Sequence, residues 1–72
     1  MIYKRIKELR EDRDIKQAEI AKELDISQGN YSFIENGVAN LKADDLVKLC
    51  KFYNVSADYI LDLPENLEYP KR

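Results

Sequence analysis

The amino-acid sequence predicts an all-α domain built from five short helices. Apolar residues recur at intervals of three and four through most of the chain, which is the spacing of one face of a helix. No stretch of four or more residues alternates convincingly between apolar β-formers and polar residues, so no strand is expected. Helix-capping residues interrupt the pattern at short intervals, so each predicted helix is short. The chain has 72 residues, which allows one domain with a small core.

The first three helices are predicted from apolar spacing and from capping residues. The first covers about residues 2–13 and the second about residues 17–24. Asp14 stands three residues before the second helix, at the spacing of a capping box, so that helix is expected to start slightly earlier. The third covers about residues 28–36, with Ser27 as its N-cap and Gly37 as the left-handed residue that ends it.

Two more helices follow a short loop. The fourth covers about residues 43–53, and Asp44 and Asp45 in its first turn are expected to be solvated or to pair with the helix dipole. The fifth starts after Ser56 and ends near residue 61. The inward stripe of the fourth helix is predicted to consist of Leu46, Leu49, Cys50 and Tyr53.

The predicted domain covers residues 1–63, and residues 64–72 form a tail. This tail contains two prolines and is expected to be extended. A single cysteine excludes an internal disulfide and fits a reducing compartment. No apolar run approaches the roughly 20 residues that span a bilayer, and the charged N-terminus lacks a signal-peptide core. We therefore expect a cytoplasmic protein with no membrane association.

An enzymatic function is not expected from this composition. The chain has no histidine, so a histidine-based catalytic or zinc site is impossible. The only two glycines, Gly29 and Gly37, are too few and too far apart for a phosphate-binding loop. Cys50 lies on an apolar stripe, where a buried structural thiol is the favoured interpretation. We expect no metal, no cofactor and no small-molecule site.

The charge of the chain is unevenly distributed. The formal net charge is −2. Residues 1–16 carry a net charge of +2, residues 17–41 carry −3, and residues 42–72 carry −1. The segment Ile26–Gly37 contains no lysine or arginine. A nucleic-acid partner for this acidic middle third would therefore need its phosphate contacts from elsewhere in the chain.

The second and third helices are joined by the tight turn Asp25-Ile26-Ser27, which is the spacing of a helix-turn-helix. The segment QAEIAKELDISQGNYSFIENG resembles the phage-repressor (Cro-like, or xenobiotic-response) helix-turn-helix family. Downstream, DLVKLCKFYNVSADYIL is similar to the fourth and fifth helices of that family. The resemblance covers about residues 2–63 and implies a five-helix domain that binds double-stranded DNA as a dimer. The matching positions are Gln17, Ile20, Ala21, Leu24, Ile26, Ser27, Ile34, Glu35, Asn36 and Gly37.

Four residues of the third helix are predicted to meet DNA bases, because the N-terminal part of this helix points into the major groove in such domains. Gln28 can bond the N6 and N7 edge of adenine, and Asn30 can do the same or hold a phosphate. Gly29 is explained either by close approach of its backbone to a base or by the absence of any constraint. Phe33 can pack on thymine methyl groups, form a patch that binds a protein, or lie partly buried against the next loop.

Contacts to the DNA backbone are predicted on both sides of the third helix. The family usually has serine or threonine N-caps where this chain has Lys16 and Lys42, and Asp14 and Asn40 are possible substitutes for those caps. A lysine at a helix start is unfavourable to the dipole, and contact with a phosphate would compensate for it. The predicted backbone-contact residues are Lys16, Gln17, Ser27, Ser32, Asn36, Asn40 and Lys42.

The resemblance also implies a structural ion pair between Arg10 and Glu35, which would keep that carboxylate away from DNA. Apolar residues near the C-terminal end are candidates for a homodimer interface. These dimer candidates are Tyr59, Leu63, Leu67 and Tyr69.

Two functions from different classes remain open on the sequence. The first is a transcriptional regulator of bacterial or phage type, a repressor by expectation, that reads a palindromic operator as a dimer. The second is a protein-interaction module of the same fold that uses Phe33 and the acidic surface of residues 17–41. The first is favoured, because reading of bases needs hydrogen-bonding groups more than charge.

Overall fold

The structure is a computed structural model, and it describes residues 3–63. These residues form five α-helices and no strand, so the predicted all-α class is confirmed. Both ends of the first helix lie inside the predicted range. The predicted tail, with Leu67 and Tyr69, is outside the described residues. The helices are α1 (Lys4–Asp12), α2 (Gln17–Glu23), α3 (Gln28–Glu35), α4 (Ala43–Tyr53) and α5 (Ala57–Leu61).

Serine side chains cap α3 and α5 as predicted. The Oγ of Ser27 accepts a hydrogen bond from the backbone N–H of Asn30 at 3.1 Å. The Oγ of Ser56 accepts one from the backbone N–H of Tyr59 at 3.2 Å. Each bond satisfies one of the free N–H groups at a helix start. Gly37 follows α3 with φ 79°, the left-handed conformation that only glycine adopts without steric cost.

The starts of α2 and α4 differ from the prediction. Lys16 and Lys42 occupy the N-cap positions, and neither helix has a side-chain cap bond. The expectation that Asp14 caps an earlier start of α2 was wrong, because Asp14 has φ 55° and belongs to the left-handed turn after α1. Asn40 does not cap α4 either. Both helices therefore begin with N–H groups that are open to solvent or to a ligand.

One core holds the five helices together. Helix α3 packs against α2 and α1, and α5 packs against α1 and α4. Two tyrosines, Tyr31 and Tyr53, are fully buried at its centre. Burial raises the pKa of Tyr53 to about 12, so the phenol stays neutral. The buried apolar residues are Tyr3, Ile6, Leu9, Ile20, Ala21, Leu24, Tyr31, Ile34, Leu49, Tyr53 and Ile60.

The inward face of α4 is rotated from the predicted stripe. Leu49 and Tyr53 are buried as predicted, but Leu46 and Cys50 are only partly buried. Asp45, which was expected to be solvated or to pair with the helix dipole, is only 7% exposed. The buried positions recur every four residues, from Asp45 through Leu49 to Tyr53, and positions four apart share one side of a helix. Of the two predicted alternatives for Asp45, solvation was therefore wrong, whereas its place in the first turn of α4 fits pairing with the helix dipole.

Within residues 3–63, no helix is both long enough and apolar enough to cross a membrane.

Candidate nucleic-acid interface

The turn between α2 and α3 is compact and hydrogen-bonded. The N–H of Asp25 donates to the carbonyl of Lys22 at 3.1 Å, and the N–H of Ile26 donates to the carbonyl of Ala21 at 3.0 Å. Asp25 has φ 56°, a left-handed conformation that reverses the chain after α2. The turn thus sends α3 across α2, which is the arrangement of a helix-turn-helix.

The inward side of α3 is held by Tyr31 and Ile34, both of which are buried as predicted. The outward side carries Gln28, Gly29 and Asn30, which are exposed. Phe33 shares this side, and 51% of its surface is exposed. The four residues predicted to contact bases therefore lie on the solvent face of one helix, where a ligand can reach all of them.

Gly29 is not required by the fold. A methyl group added at this position would meet only the Oγ of Ser27, at 4.0 Å, which is ordinary van der Waals contact. Glycine inside a helix is destabilising by roughly 0.5–1 kcal/mol relative to alanine. The chain therefore carries a residue that weakens α3 with no steric reason within residues 3–63.

We expect Gly29→Ala to raise the free energy of unfolding by about 0.5–1 kcal/mol. The same change is expected to weaken binding to a specific DNA site, because the new methyl group would occupy space needed by a base. Urea unfolding and DNA titration of the same preparation would measure both effects. A more stable variant with unchanged DNA affinity would show that the position is simply unconstrained.

Arg10 and Glu35 join α1 to the end of α3 through two hydrogen bonds. Arg10 donates from Nε to Oε2 of Glu35 at 3.0 Å and from Nη2 to Oε1 at 2.8 Å. Its Nη1 donates to the carbonyl of Ile15 at 3.0 Å. The side chain of Arg10 is 15% exposed and that of Glu35 is 2% exposed. This is the ion pair that the sequence resemblance implies.

Burial by itself would raise the pKa of Glu35, but the hydrogen bonds and charge of Arg10, together with the hydroxyl of Tyr31, outweigh it. The pKa of this carboxyl is therefore lowered below its ordinary value, and Gln17 contributes in the same direction. Glu35 is consequently ionised, neutralised by Arg10 and turned away from solvent. One of the four acids in residues 17–41 is thus removed from the outer surface, while Glu19, Glu23 and Asp25 remain exposed.

The candidate backbone-contact residues differ in their exposure and in whether their side chains already bind another group of the protein. Lys16 and Lys42 are exposed, and no ion pair involves either of them in the described part of the chain. Ser32 and Asn36 bind each other, since the Nδ2 of Asn36 donates to the Oγ of Ser32 at 3.2 Å. Ser27 caps α3, and Gln17 is half-buried beside Glu35. Asn40 is exposed in the loop before α4.

The two dimer candidates inside the described residues are on α5 and just after it. Tyr59 and Leu63 are each 41% exposed. The guanidinium of Arg5 lies 4.7 Å from the ring centroid of Tyr59 and donates to Oδ1 of Asp62 at 3.2 Å. One face of the tyrosine ring is therefore covered by a cation, and the rest of the patch is open.

Sequence reasoning missed two residues of this region. Val38 follows Gly37 in the loop after α3, and 74% of its surface is exposed. Its N–H donates to the carbonyl of Phe33 at 2.8 Å, so the two apolar residues are neighbours. Asp45 is the other missed residue, and its burial could have been found only by tracing the four-residue spacing of α4 backward from Tyr53.

Across residues 3–63, no three Cys, Asp or Glu side chains are grouped to hold a metal ion.

The five-helix arrangement and the exposed N-terminal face of α3 define a helix-turn-helix domain. A family model described as a helix-turn-helix domain matches residues 3–66, and the chain belongs to this family. It is a family of helix-turn-helix transcriptional regulators.

Three curated relatives are similar to the chain. It is 40% identical to the HTH-type transcriptional regulator ImmR of Bacillus subtilis over 62 aligned residues, and this alignment covers 86% of the chain and 49% of ImmR. It is 32% identical over 69 residues to the cryptic phage CTXphi transcriptional repressor RstR of Vibrio cholerae, and this alignment covers 94% of the chain and 62% of RstR. It is 38% identical over 56 residues to the antitoxin PezA of Streptococcus pneumoniae, and this alignment covers 78% of the chain and 35% of PezA. The chain thus spans about half the length of the curated relatives it matches, and no solved structure matches it.

Proposed function

We propose that the protein is a sequence-specific DNA-binding transcriptional regulator, acting in the cytoplasm as a repressor. It reads the major groove with α3 and binds a palindromic operator as a homodimer. The observation that carries this proposal is the outward face of α3, where polar side chains stand exposed on a helix-turn-helix framework. Two of its relatives are named as a transcriptional regulator and a transcriptional repressor, which supports the same function.

The bases are read by amides and by one aromatic ring. Gln28 and Asn30 have the donor and acceptor pair that matches the major-groove edge of adenine. Phe33, half-exposed one turn further along α3, supplies an apolar surface for thymine methyl groups. An A·T-rich recognition site is therefore expected under α3.

The phosphate contacts come from beside α3. Lys16 and Lys42 stand at the uncapped starts of α2 and α4, where helix N–H groups also face outward. A phosphate bound at either start would satisfy these N–H groups and pair with the lysine at the same time. Ser27, Ser32, Asn36 and Asn40 are short polar residues that fix position without reading sequence.

We expect Lys16→Ala and Lys42→Ala each to lower DNA affinity for every sequence alike. Each variant loses one phosphate contact, so the slope of log affinity against log salt falls by about 0.9. Lys48→Ala is the matched control, because Lys48 is an exposed lysine inside α4, remote from the helix start. A loss of affinity in the two variants with an unchanged salt slope would contradict the assignment.

The dimer surface is assigned to the exposed apolar patch of Tyr59 and Leu63. We expect the double variant Tyr59→Ser, Leu63→Ser to sediment as a monomer at a concentration where the wild type is a dimer. Val47→Ser is the control, since Val47 is 50% exposed on α4. A wild type that stays monomeric, or a double variant that stays dimeric, would exclude this interface.

The test of the whole proposal is selection from a pool of random duplex DNA at two salt concentrations. Enrichment of a palindrome with a modest salt slope is the expected result. No enrichment even at low salt would overturn the proposal and leave the second candidate function. That candidate, a protein-interaction module, is favoured by the exposed apolar pair Phe33 and Val38 within an acidic surface.

A further inference from the structure

A pocket of about 140 Å³ lies beside α3, between that helix, the loop after it and the first turn of α4. Three of its polar lining residues are Asn30, Asn40 and Lys42, each of which is a candidate DNA contact. The fourth is Asp45. The rest of the wall is apolar. We call this site the Asp45 pocket.

The carboxylate of Asp45 stands out among the acids of the protein. Asp45 is only 7% exposed, yet no hydrogen bond or ion pair involves its side chain anywhere in residues 3–63. Its oxygens are not fully enclosed by protein, so the carboxylate keeps a small accessible surface in the pocket that it lines, where a polar partner can meet it. Its neighbour Asp44 stands in the same helix turn and is exposed. Burial of Asp45 is therefore not explained by the helix dipole.

The pocket has room for several water molecules, each of which needs two to four polar partners. Asp45 supplies acceptors, and the amides of Asn30 and Asn40 supply donors and acceptors, since all three residues line the pocket. Water that is bonded to both Asp45 and Asn30 would restrict the rotation of the Asn30 amide. An amide that is already oriented loses less freedom when it meets a base.

We propose that Asp45 is a positioning residue for DNA reading: its carboxylate binds ordered water in the Asp45 pocket, and this water orients the Asn30 side chain toward the base it reads. The inference rests on the proposed DNA-binding function and names a residue that does not touch DNA itself. It predicts that Asp45 acts on sequence discrimination more than on overall affinity.

The test compares Asp45→Asn with Asp44→Asn, which removes the same charge one residue away at an exposed position. Affinity is measured for the selected duplex and for a scrambled duplex. Both variants bind the scrambled duplex more tightly, because each loses a negative charge near DNA. Only Asp45→Asn lowers the ratio of specific to non-specific affinity, by about tenfold. An equal ratio in the two variants would overturn the inference.

A double variant tests whether Asp45 acts on discrimination through Asn30. In an Asn30→Ala background, Asp45→Asn is expected to cause no further loss of discrimination, whereas an undiminished loss would contradict a route through Asn30. If the wild type selects no duplex at all, the proposed function fails and the inference with it. If the wild type selects a duplex and Asp45→Asn matches Asp44→Asn, the inference alone fails.

A further measurement uses only the free wild-type protein, so its result does not depend on whether a variant folds. Magnetisation transfer from water to the side-chain amide of Asn30 in labelled protein is expected to show a long-lived bound water. The exposed amide of Asn54, at the C-terminal end of α4 and outside the pocket, serves as the reference and should show only exchange with bulk solvent. Identical behaviour of the two amides would overturn the inference.

Discussion

Glu35→Ala is expected to destabilise the protein by about 3–5 kcal/mol, because it leaves the largely buried guanidinium of Arg10 without its counter-ion. A domain of this size has a total stability of roughly 0.05–0.15 kcal/mol per residue, so the loss is a large part of the whole. The melting temperature should fall by about 15 °C or more. Calorimetry or circular dichroism of wild type and variant measures the difference.

The control for this prediction is Glu11→Ala. Glu11 pairs with Lys7 at 3.9 Å on the exposed face of α1, and such pairs contribute about 0.5 kcal/mol. A second comparison replaces both members of the buried pair, as in Arg10→Met with Glu35→Leu. Because no charge is then left unpaired, much of the lost stability should return. Equal losses for Glu11→Ala and Glu35→Ala would contradict the structural role of the buried pair.

The same ion pair makes stability depend on pH in a predictable direction. The pKa of Glu35 is lowered in the folded protein from its ordinary value of 4.5. The stabilisation is therefore complete above pH 4.5 and is lost as the pH falls through the lowered folded pKa. In a Glu35→Gln variant this component of the acid-induced loss should be absent.

Gln28→Ala is the substitution with the largest expected effect on specific binding. Removing one bidentate contact to a base costs about 1–3 kcal/mol, or roughly 5- to 150-fold in affinity for the selected duplex. Non-specific affinity and the salt slope should stay unchanged, since no phosphate contact is lost. Titration of selected and scrambled duplexes at two salt concentrations separates these quantities.

The contrast for this prediction is Gln17→Ala, which removes the same side chain from the start of α2. Gln17 is assigned to the DNA backbone, so its loss should weaken binding to both duplexes alike. Equal losses on selected and scrambled DNA in Gln28→Ala would show that Gln28 does not read a base.

The parts of the fold that follow local rules were predictable. Ser27 and Ser56 cap their helices, and Gly37 ends α3, because each rule depends only on residues within one turn. The starts of α2 and α4 were less predictable. There Lys16 and Lys42 stand where a capping side chain is usual, and no local rule indicates what replaces it.

Long-range features of the site could not be derived from periodicity. The Arg10–Glu35 pair joins positions 25 residues apart, and only the resemblance to a known family pointed to it. The burial of Asp45 depends on how α4 is rotated against the core, and the apolar stripe alone left this charged residue outside the predicted core. The exposure of Gln28 and Asn30 follows from the burial of Tyr31 and Ile34 on the inward side of α3.

A cation-free reading helix is compatible with DNA binding on this structure. Glu35 is neutralised by Arg10, so α3 carries no acid on its outward face. The exposed lysines at the starts of α2 and α4 lie outside α3 and supply the phosphate contacts in our account. The proposal therefore assigns specificity to amides and one aromatic ring, and affinity to the charges next to them.

The most direct test of this account is a titration of labelled protein with the selected duplex, followed through the backbone amide signals. We expect the largest shifts in residues 27–33, with further shifts at Lys16, Gln17 and Lys42. The outward face of α4, marked by Val47 and Phe52, should remain unchanged. Largest shifts on α4 with silent signals from α3 would contradict the claim that α3 reads DNA.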